Sequence, residues 1–192
     1  MRFHFFTNKV IVFDIQNDFS EHMNEVQNHS EVESLLRGGA FVVLPTDTIY
    51  GICATALDMT AVERLYALRK RDPSKPMIVL ISSIDDLKTF DISLTSRQEN
   101  ILEQIWPGKV SVVLHCGSKN FSYLHRGTYS LAVRMPNKKD LLEILNVTGP
   151  LVAPSANIEG EPPAKNIQEA SDILGITPII MAPRRQTAKV RR

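Results

Sequence analysis

Apolar residues recur along this chain in two alternating rhythms. Short unbroken runs read as buried strands over 10–13, 40–44, 77–81, 110–114, 131–133, 151–153 and 178–181. Between them apolar positions fall at helical spacing. Val32, Leu35 and Leu36 share one face before Gly38-Gly39, and Ala61, Leu65 and Leu68 share another. Ile101, Leu102 and Ile105 mark a buried face in a helix over 95–105. A further helix over 137–145 takes Asn137 as its cap, and Asn166-x-x-Glu169 opens one that stops at Gly175. Thr60-x-x-Glu63 predicts a capping box for the second helix, and Pro73 marks where that segment must break. Strands alternating with helices predict an α/β domain.

Residues 14–30 are polar, rich in Asn, Gln, His and Glu, and carry no clear period. The expected organisation is an N-terminal extension over 1–29, one domain over 30–182 and a tail over 183–192. At 192 residues, 43 % hydrophobic and 22 % charged, the chain has the balance of a globular domain with a core of its own. No apolar run approaches the roughly 20 residues of a membrane span. The opening Met1-Arg2-Phe3-His4-Phe5-Phe6 turns polar at Asn8-Lys9, too soon for a signal peptide. A cytoplasmic protein is expected.

Charge changes the picture only at the tail. Arg184, Arg185, Lys189, Arg191 and Arg192 contribute +5 of a net +1, so residues 1–182 sum to −4. The body is not a nucleic-acid-coating surface; the tail reads either as a solvated end or as a phosphate contact. Cys53 and Cys116 lie far apart with no CxxC, which argues against a disulfide scaffold or a cysteine-bound zinc. The histidines (His4, His22, His29, His115, His125) show no metal spacing. There is no P-loop, no GxGxxG, no HExxH and no GxSxG.

What stands out is polar chemistry where apolar strands end. The 40–44 run ends in Pro45-Thr46-Asp47-Thr48, the 131–133 run in Arg134, and the 151–153 run in Pro154-Ser155-Ala156-Asn157. Ligands of open α/β sheets bind beyond strand ends, so these could share one pocket; they read equally as turn and cap chemistry. Arg69, Lys70, Arg71 and Lys75 form a dense cationic loop, opposed in sequence only by Asp72. Such a loop suits a polyphosphate, or else is a solvated helix end. Arg134 follows a strand too apolar to lie at the surface. A cation there needs an anionic partner; few internal carboxylates lie near in sequence, Asp140 on the next helix among them, so a substrate carboxylate is the economical expectation.

These stretches, in this order, resemble the YrdC/Sua5 family of TsaC-type threonylcarbamoyl-AMP synthases. The matching pieces run from Gly38-Gly39 through Pro45-Thr46-Asp47-Thr48-Ile49-Tyr50-Gly51, then Leu68-Arg69-Lys70-Arg71-Asp72-Pro73-Ser74-Lys75-Pro76. Trp106-Pro107-Gly108, Leu131-Ala132-Val133-Arg134, Pro154-Ser155-Ala156-Asn157 and Gly160-Glu161-Pro162-Pro163 follow. The resemblance implies a twisted, mixed α/β sheet with a large concave cleft. It implies condensation of L-threonine, bicarbonate or CO₂, and ATP into threonylcarbamoyl-adenylate and pyrophosphate, a nucleotidyl transfer, with Mg²⁺ accompanying the ATP. The product would serve modification of adenosine 37 in tRNAs reading ANN codons, with other proteins of that pathway as partners, at most a weak tRNA contact and no membrane.

Residue by residue, the resemblance assigns threonine to Thr48 and Arg134. It assigns the nucleotide to Arg69, Arg71, Lys75, Ser130, Ser155 and Asn157, with Arg71, Lys75, Ser155 and Asn157 carrying the catalytic role. Arg69 stands where the family commonly has Lys, and Cys53 where it commonly has Gly. Many relatives carry a Gly-rich segment, a Ser-Thr stretch and a further strand after the position of the 178–181 run. Two other readings stand beside this one: a non-catalytic module binding double-stranded RNA or tRNA, and the YrdC-like module of hydrogenase-maturation carbamoyltransferases.

Overall fold

The computed structural model describes residues 11–13 and 29–175, with side chains from Val32 onward in the second stretch. The expected strand over 178–181 and the basic tail lie outside the described residues. Strand β1 (Ile11–Phe13) is followed by α1 (His29–Arg37), β2 (Phe41–Pro45), β3 (Tyr50–Thr55) and α2 (Met59–Leu68). After β4 (Ile78–Leu80) comes a 3₁₀ turn (Ile84–Phe90), then α3 (Ser96–Ile105), β5 (Val112–His115) and the one-turn α4 (Ser122–His125). β6 (Ser130–Arg134), α5 (Lys139–Thr148), β7 (Leu151–Val152) and α6 (Ile167–Leu174) complete the order.

The strands form one mixed sheet in the order β1-β2-β3-β7-β4-β6-β5. β4 and β6 pair in parallel, Ile78 beside Ala132 and Leu80 beside Arg134; every other pairing is antiparallel. Alternation along the strands divides the core between two faces. One face buries Phe41, Val43, Ile52, Ala54, Val79, Leu131 and Val133 against Leu65 of α2, Leu102 of α3, Leu124 of α4 and Ala170 of α6. The other buries Val42, Leu44, Cys53, Leu80, Leu151 and Ala153 against Val32 and Leu36 of α1 and Leu141, Ile144 and Leu145 of α5.

Among the described residues that second layer does not reach across the whole face. Toward β6 and β5 the row Ile78–Ala132–Val113 runs out from under it: Ile78 packs against the layer, Ala132 is half-buried and Val113 is 68 % exposed. This partly covered strip is a trough, and Arg134, on the same face of β6 as Ala132, stands at one end of it.

The helix ends correct part of the sequence reading. α2 is capped by Asp58, whose Oδ1 accepts Ala61 N–H at 3.1 Å, so Thr60 falls inside the first turn. α5 begins after Lys138 with no side-chain cap, and Asn137 is not its cap. α6 matches its prediction: Asn166 accepts Glu169 N–H at 2.9 Å and Gly175 closes it at φ 64°. Ile101 of α3 is exposed and Ile105 half-buried, leaving Leu102 as that helix's buried residue. Both cysteines are free, and burial pushes the Cys53 thiol up to about 12. Among the described residues no helix is long and apolar enough to cross a membrane.

Candidate functional site

Ser130, Ala132 and Arg134 alternate with the buried Leu131 and Val133, so they line the trough in single file. Ser130 starts β6 and Arg134 ends it, about 13 Å away at roughly 3.3 Å per residue. The trough therefore has two ends of different chemistry.

At the Arg134 end, the β2–β3 turn meets the connection between β6 and α5. The turn is built by Thr46, whose hydroxyl donates to Ile49 O at 2.7 Å and accepts Thr48 N–H at 3.1 Å. Behind it, a Cβ on Gly51 would come within 3.3 Å of Thr46 Cγ2 and 3.4 Å of Pro154 O, so a side chain there would press on the turn. Arg134 Nη1 lies 3.5 Å from Thr48 Oγ1, and Nη2 lies 3.2 Å from Asp47 Oδ1. Asp47 is itself tethered: Asn137 N–H donates to its Oδ2 at 3.2 Å. Lys138 Nζ donates to Pro45 O at 2.6 Å; burial lowers that ammonium's pKa, and Asp140 and Asp47 oppose the shift.

The buried Arg134 thus has a carboxylate partner within the chain, and it is Asp47 rather than Asp140. The ion pair uses Nη2, Nη1 faces the Thr48 hydroxyl, and Nε is buried without a hydrogen bond. Beside the turn, Pro45, Thr46, Thr48, Ile49 and Tyr50 face Pro163, Ala164 and Lys165 across a cavity of about 350 Å³. Thr48 borders both.

Next to the β2–β3 turn, the chain after β7 packs against the cationic loop that follows α2, a helix lying on the opposite sheet face. Gly51 bridges to Ser155, which places the Pro-Ser-Ala-Asn turn at the start of β3. Arg69 is 2 % exposed and is the pivot. Its Nε donates to Asn157 O at 3.0 Å, and its Nη2 to Asn157 Oδ1 at 2.9 Å and Ser155 Oγ at 3.3 Å. Burial, then the neighbouring Arg71, push the Arg69 guanidinium down to about 10, while Glu159 pulls the other way. Arg69 therefore stays charged at neutral pH, with Nε and Nη2 held by the turn and Nη1 buried without a hydrogen bond.

Arg71 is partly committed as well. Its Nε donates to Lys75 O at 3.1 Å and its Nη2 to Pro76 O at 3.0 Å, which leaves the Nη1 edge facing outward. Lys75 is 57 % exposed. In sequence only Asp72 opposes this loop, but in the fold Glu159 also reaches it, 3.1 Å from Lys75 Nζ and 3.7 Å from Arg71 Nη1.

The fold thus gathers Thr48 with Arg134, and Arg69, Arg71 and Lys75 with Ser155 and Asn157. Ser130 stands apart from both groups, its hydroxyl 3.2 Å from Thr128 Oγ1. Asp47 and Glu159, which complete the electrostatics of the two groups, were not singled out in the sequence. For Asp47 a signal existed, its place inside Pro-Thr-Asp-Thr; Glu159 carries none, being 84 residues from Lys75. Among the described residues no three His, Cys, Asp or Glu are grouped to hold a metal ion.

Comparison with known proteins bears on this arrangement. Residues 34–189 match the sequence model of the Sua5/YciO/YrdC family, described as "Telomere recombination". The threonylcarbamoyl-AMP synthase of Pyrococcus abyssi is 33 % identical over 142 residues, covering 73 % of this chain and 42 % of its own length. That of Bacillus subtilis is 32 % identical over 149 residues, covering 76 % and 43 %. The crystal structure of P. abyssi Sua5 complexed with L-threonine superposes with a TM-score of 0.70 at 29 % identity, over 79 % of this chain and 46 % of that one. This chain spans less than half the length of these relatives. With four-fifths of its residues matched by the family's sequence model and the same mixed sheet underneath, the chain belongs to the Sua5/YciO/YrdC family.

Proposed function

We propose that the chain is an L-threonylcarbamoyladenylate synthase, joining L-threonine, bicarbonate or CO₂, and ATP. The observation that carries this reading is the meeting of two polar groups around the start of β3. Arg134 with the Thr48 hydroxyl stands on one side of the β2–β3 turn, and the cationic loop with Ser155, which bridges to Gly51, on the other. Relatives named for this activity cover about three-quarters of the chain, and the similar P. abyssi Sua5 structure is complexed with L-threonine.

In this reading Arg134 Nη1 and Thr48 Oγ1 take the threonine carboxylate and hydroxyl. Asp47 holds the guanidinium from behind through Nη2. The Nη1 edge of Arg71 and the Lys75 ammonium take the phosphates, with the Ser155 hydroxyl and Ser130 along the nucleotide. Arg69 and Asn157 lock the turn that carries Ser155.

The chemistry follows in two steps. The threonine amine adds to CO₂ and loses a proton, giving a carbamate. A carbamate oxygen then attacks the α-phosphorus, and pyrophosphate leaves with the bond electrons. Neither step needs a covalent protein intermediate; placement and neutralisation of the developing charge suffice. Magnesium enters as part of the MgATP substrate, and the tRNA-modification pathway supplies the acceptor of the product.

The test is pyrophosphate release from ATP, expected only when threonine and bicarbonate are both present. Release that ignores either one sinks the assignment. The basic residues from Arg184 onward favour a second reading, an RNA-binding module, which predicts salt-dependent tRNA binding with no ATP turnover.

A further inference from the structure

Two cations of the loop after α2 already hold an anion. Glu159 Oε1 lies 3.1 Å from Lys75 Nζ and 3.7 Å from Arg71 Nη1, while its Oε2 accepts Asp72 N–H at 2.6 Å. The residue is held from a fixed point, because its own N–H donates to Arg69 O at 2.9 Å. Arg71 is aimed at it by the two loop carbonyls that take Nε and Nη2. Two cations and a backbone amide converging on one carboxylate form the donor set that also binds a phosphate oxygen. Every contact in this set joins segments far apart in sequence, so the fold, not a local turn, puts the carboxylate there.

Resting on the nucleotide-binding reading above, we propose that Glu159 is a resident anion in the seat of the leaving pyrophosphate. The triphosphate displaces it on arrival, and it recovers Lys75 and Arg71 as pyrophosphate departs. No bond is made or broken in this exchange; one anion replaces another on the same cations. Partly exposed ion pairs are weak, so the triphosphate, held also through its nucleoside, wins against one carboxylate, while free pyrophosphate, without that anchor, is displaced by it more readily. Glu159 thereby determines selectivity for polyphosphates and hastens release. A nucleoside monophosphate, which leaves this seat empty, is indifferent to it.

Glu159→Gln removes the charge at nearly unchanged shape; its single amide oxygen can keep the Asp72 N–H or the Lys75 contact, but not both. Pyrophosphate and AMP affinities of the wild-type protein and the variant are measured by calorimetry. Pyrophosphate is expected to bind the variant about five- to tenfold tighter, the range set by losing one exposed pair and its repulsion, with AMP within about twofold. Pyrophosphate should also inhibit the variant's turnover at correspondingly lower concentration. Glu159→Ala, a second route to the same loss of charge, is expected to tighten pyrophosphate binding too. Unchanged or weaker pyrophosphate binding in both variants, with wild-type turnover intact, overturns the role of Glu159 alone. A wild-type protein that binds neither ATP nor pyrophosphate overturns the nucleotide reading on which it rests.

Discussion

Ser155 and Asn157 stand two residues apart, yet the fold uses them differently. Asn157 is 5 % exposed and fully engaged: Oδ1 accepts from Arg69, and Nδ2 donates to Ile158 O at 2.9 Å and Glu161 O at 2.6 Å. Ser155 only accepts, from Arg69 Nη2 at 3.3 Å, so its hydroxyl proton is left for a ligand. Asn157→Ala should therefore destabilise the protein by about 1.5–3 kcal/mol, the usual effect of losing hydrogen bonds to a charged group. Ser155→Ala should cost less than about 1 kcal/mol while weakening ATP binding. Denaturant midpoints and calorimetry on the two variants separate the roles; equal stability losses would remove the distinction. Glu159 adds a pH signature. Asp72 N–H, then Lys75, hold its carboxyl below the ordinary 4.5. A lowered folded pKa contributes stability that is present above the unfolded value and lost as pH falls through the folded one. The stability gap between wild type and Glu159→Gln should thus be constant above about pH 5 and close progressively below 4.5. A gap that persists at pH 2 would place the effect in packing instead of charge.

At the scale of elements, α1, β2, β4, β6, β7 and α6 were legible because each is a clean apolar run or an amphipathic stretch with its stop signal beside it. β3 was not. Tyr50-Gly51 follows Pro-Thr-Asp-Thr and reads as loop, and the apolar Ile52-Cys53-Ala54 behind it is buried on both faces, which erases period-2 alternation. The cap of α2 was misplaced because Asp58 and Thr60 both offer an oxygen near the helix start, and only geometry chooses between them. The cationic loop was legible as charge but not as structure. Tyr66, 4 % exposed on α2, donates its hydroxyl to Lys75 O at 2.8 Å, the carbonyl that also accepts Arg71 Nε. Arg126 stacks 3.9 Å above the Tyr66 ring and pairs with Glu63 at 2.8 Å, so the helix and the α4 turn brace the loop from below. Tyr66→Phe removes one bond from a carbonyl that keeps another. It should cost about 0.5–1.5 kcal/mol and raise the ATP KM several-fold, with the threonine KM unmoved. An equal rise in both KM values would mark the change as a general loss of order.

At the scale of the whole molecule, the sheet brings Ser155 beside Gly51, next to the turn that carries Asp47 and Thr48. The sequence showed polar strand ends but not that they gather around the start of β3. That gathering depends on the antiparallel pairing of β7 with β3 and β4 and on the parallel pairing of β4 with β6. The pairing also explains why a buried arginine could be recognised while its carboxylate could not: Asp47 and Arg134 meet only after the β2–β3 turn folds toward the β6–α5 connection. The two groups draw on different polar partners, Asp47 and Thr48 on one side, Arg69 and Asn157 on the other, with Gly51 packed between them. Perturbations without shared partners add, within about 0.5 kcal/mol. Arg134→Lys keeps the charge but gives up the planar fork that faces Asp47 and Thr48 together, so it should raise the threonine KM with ATP affinity nearly unchanged. Ser155→Ala should do the reverse. In the double variant, the two binding losses should sum, with each substrate's affinity matching that of its own single variant. A coupling above about 1 kcal/mol would mean that the two groups are not independent, and that the turn packed on Gly51 links them.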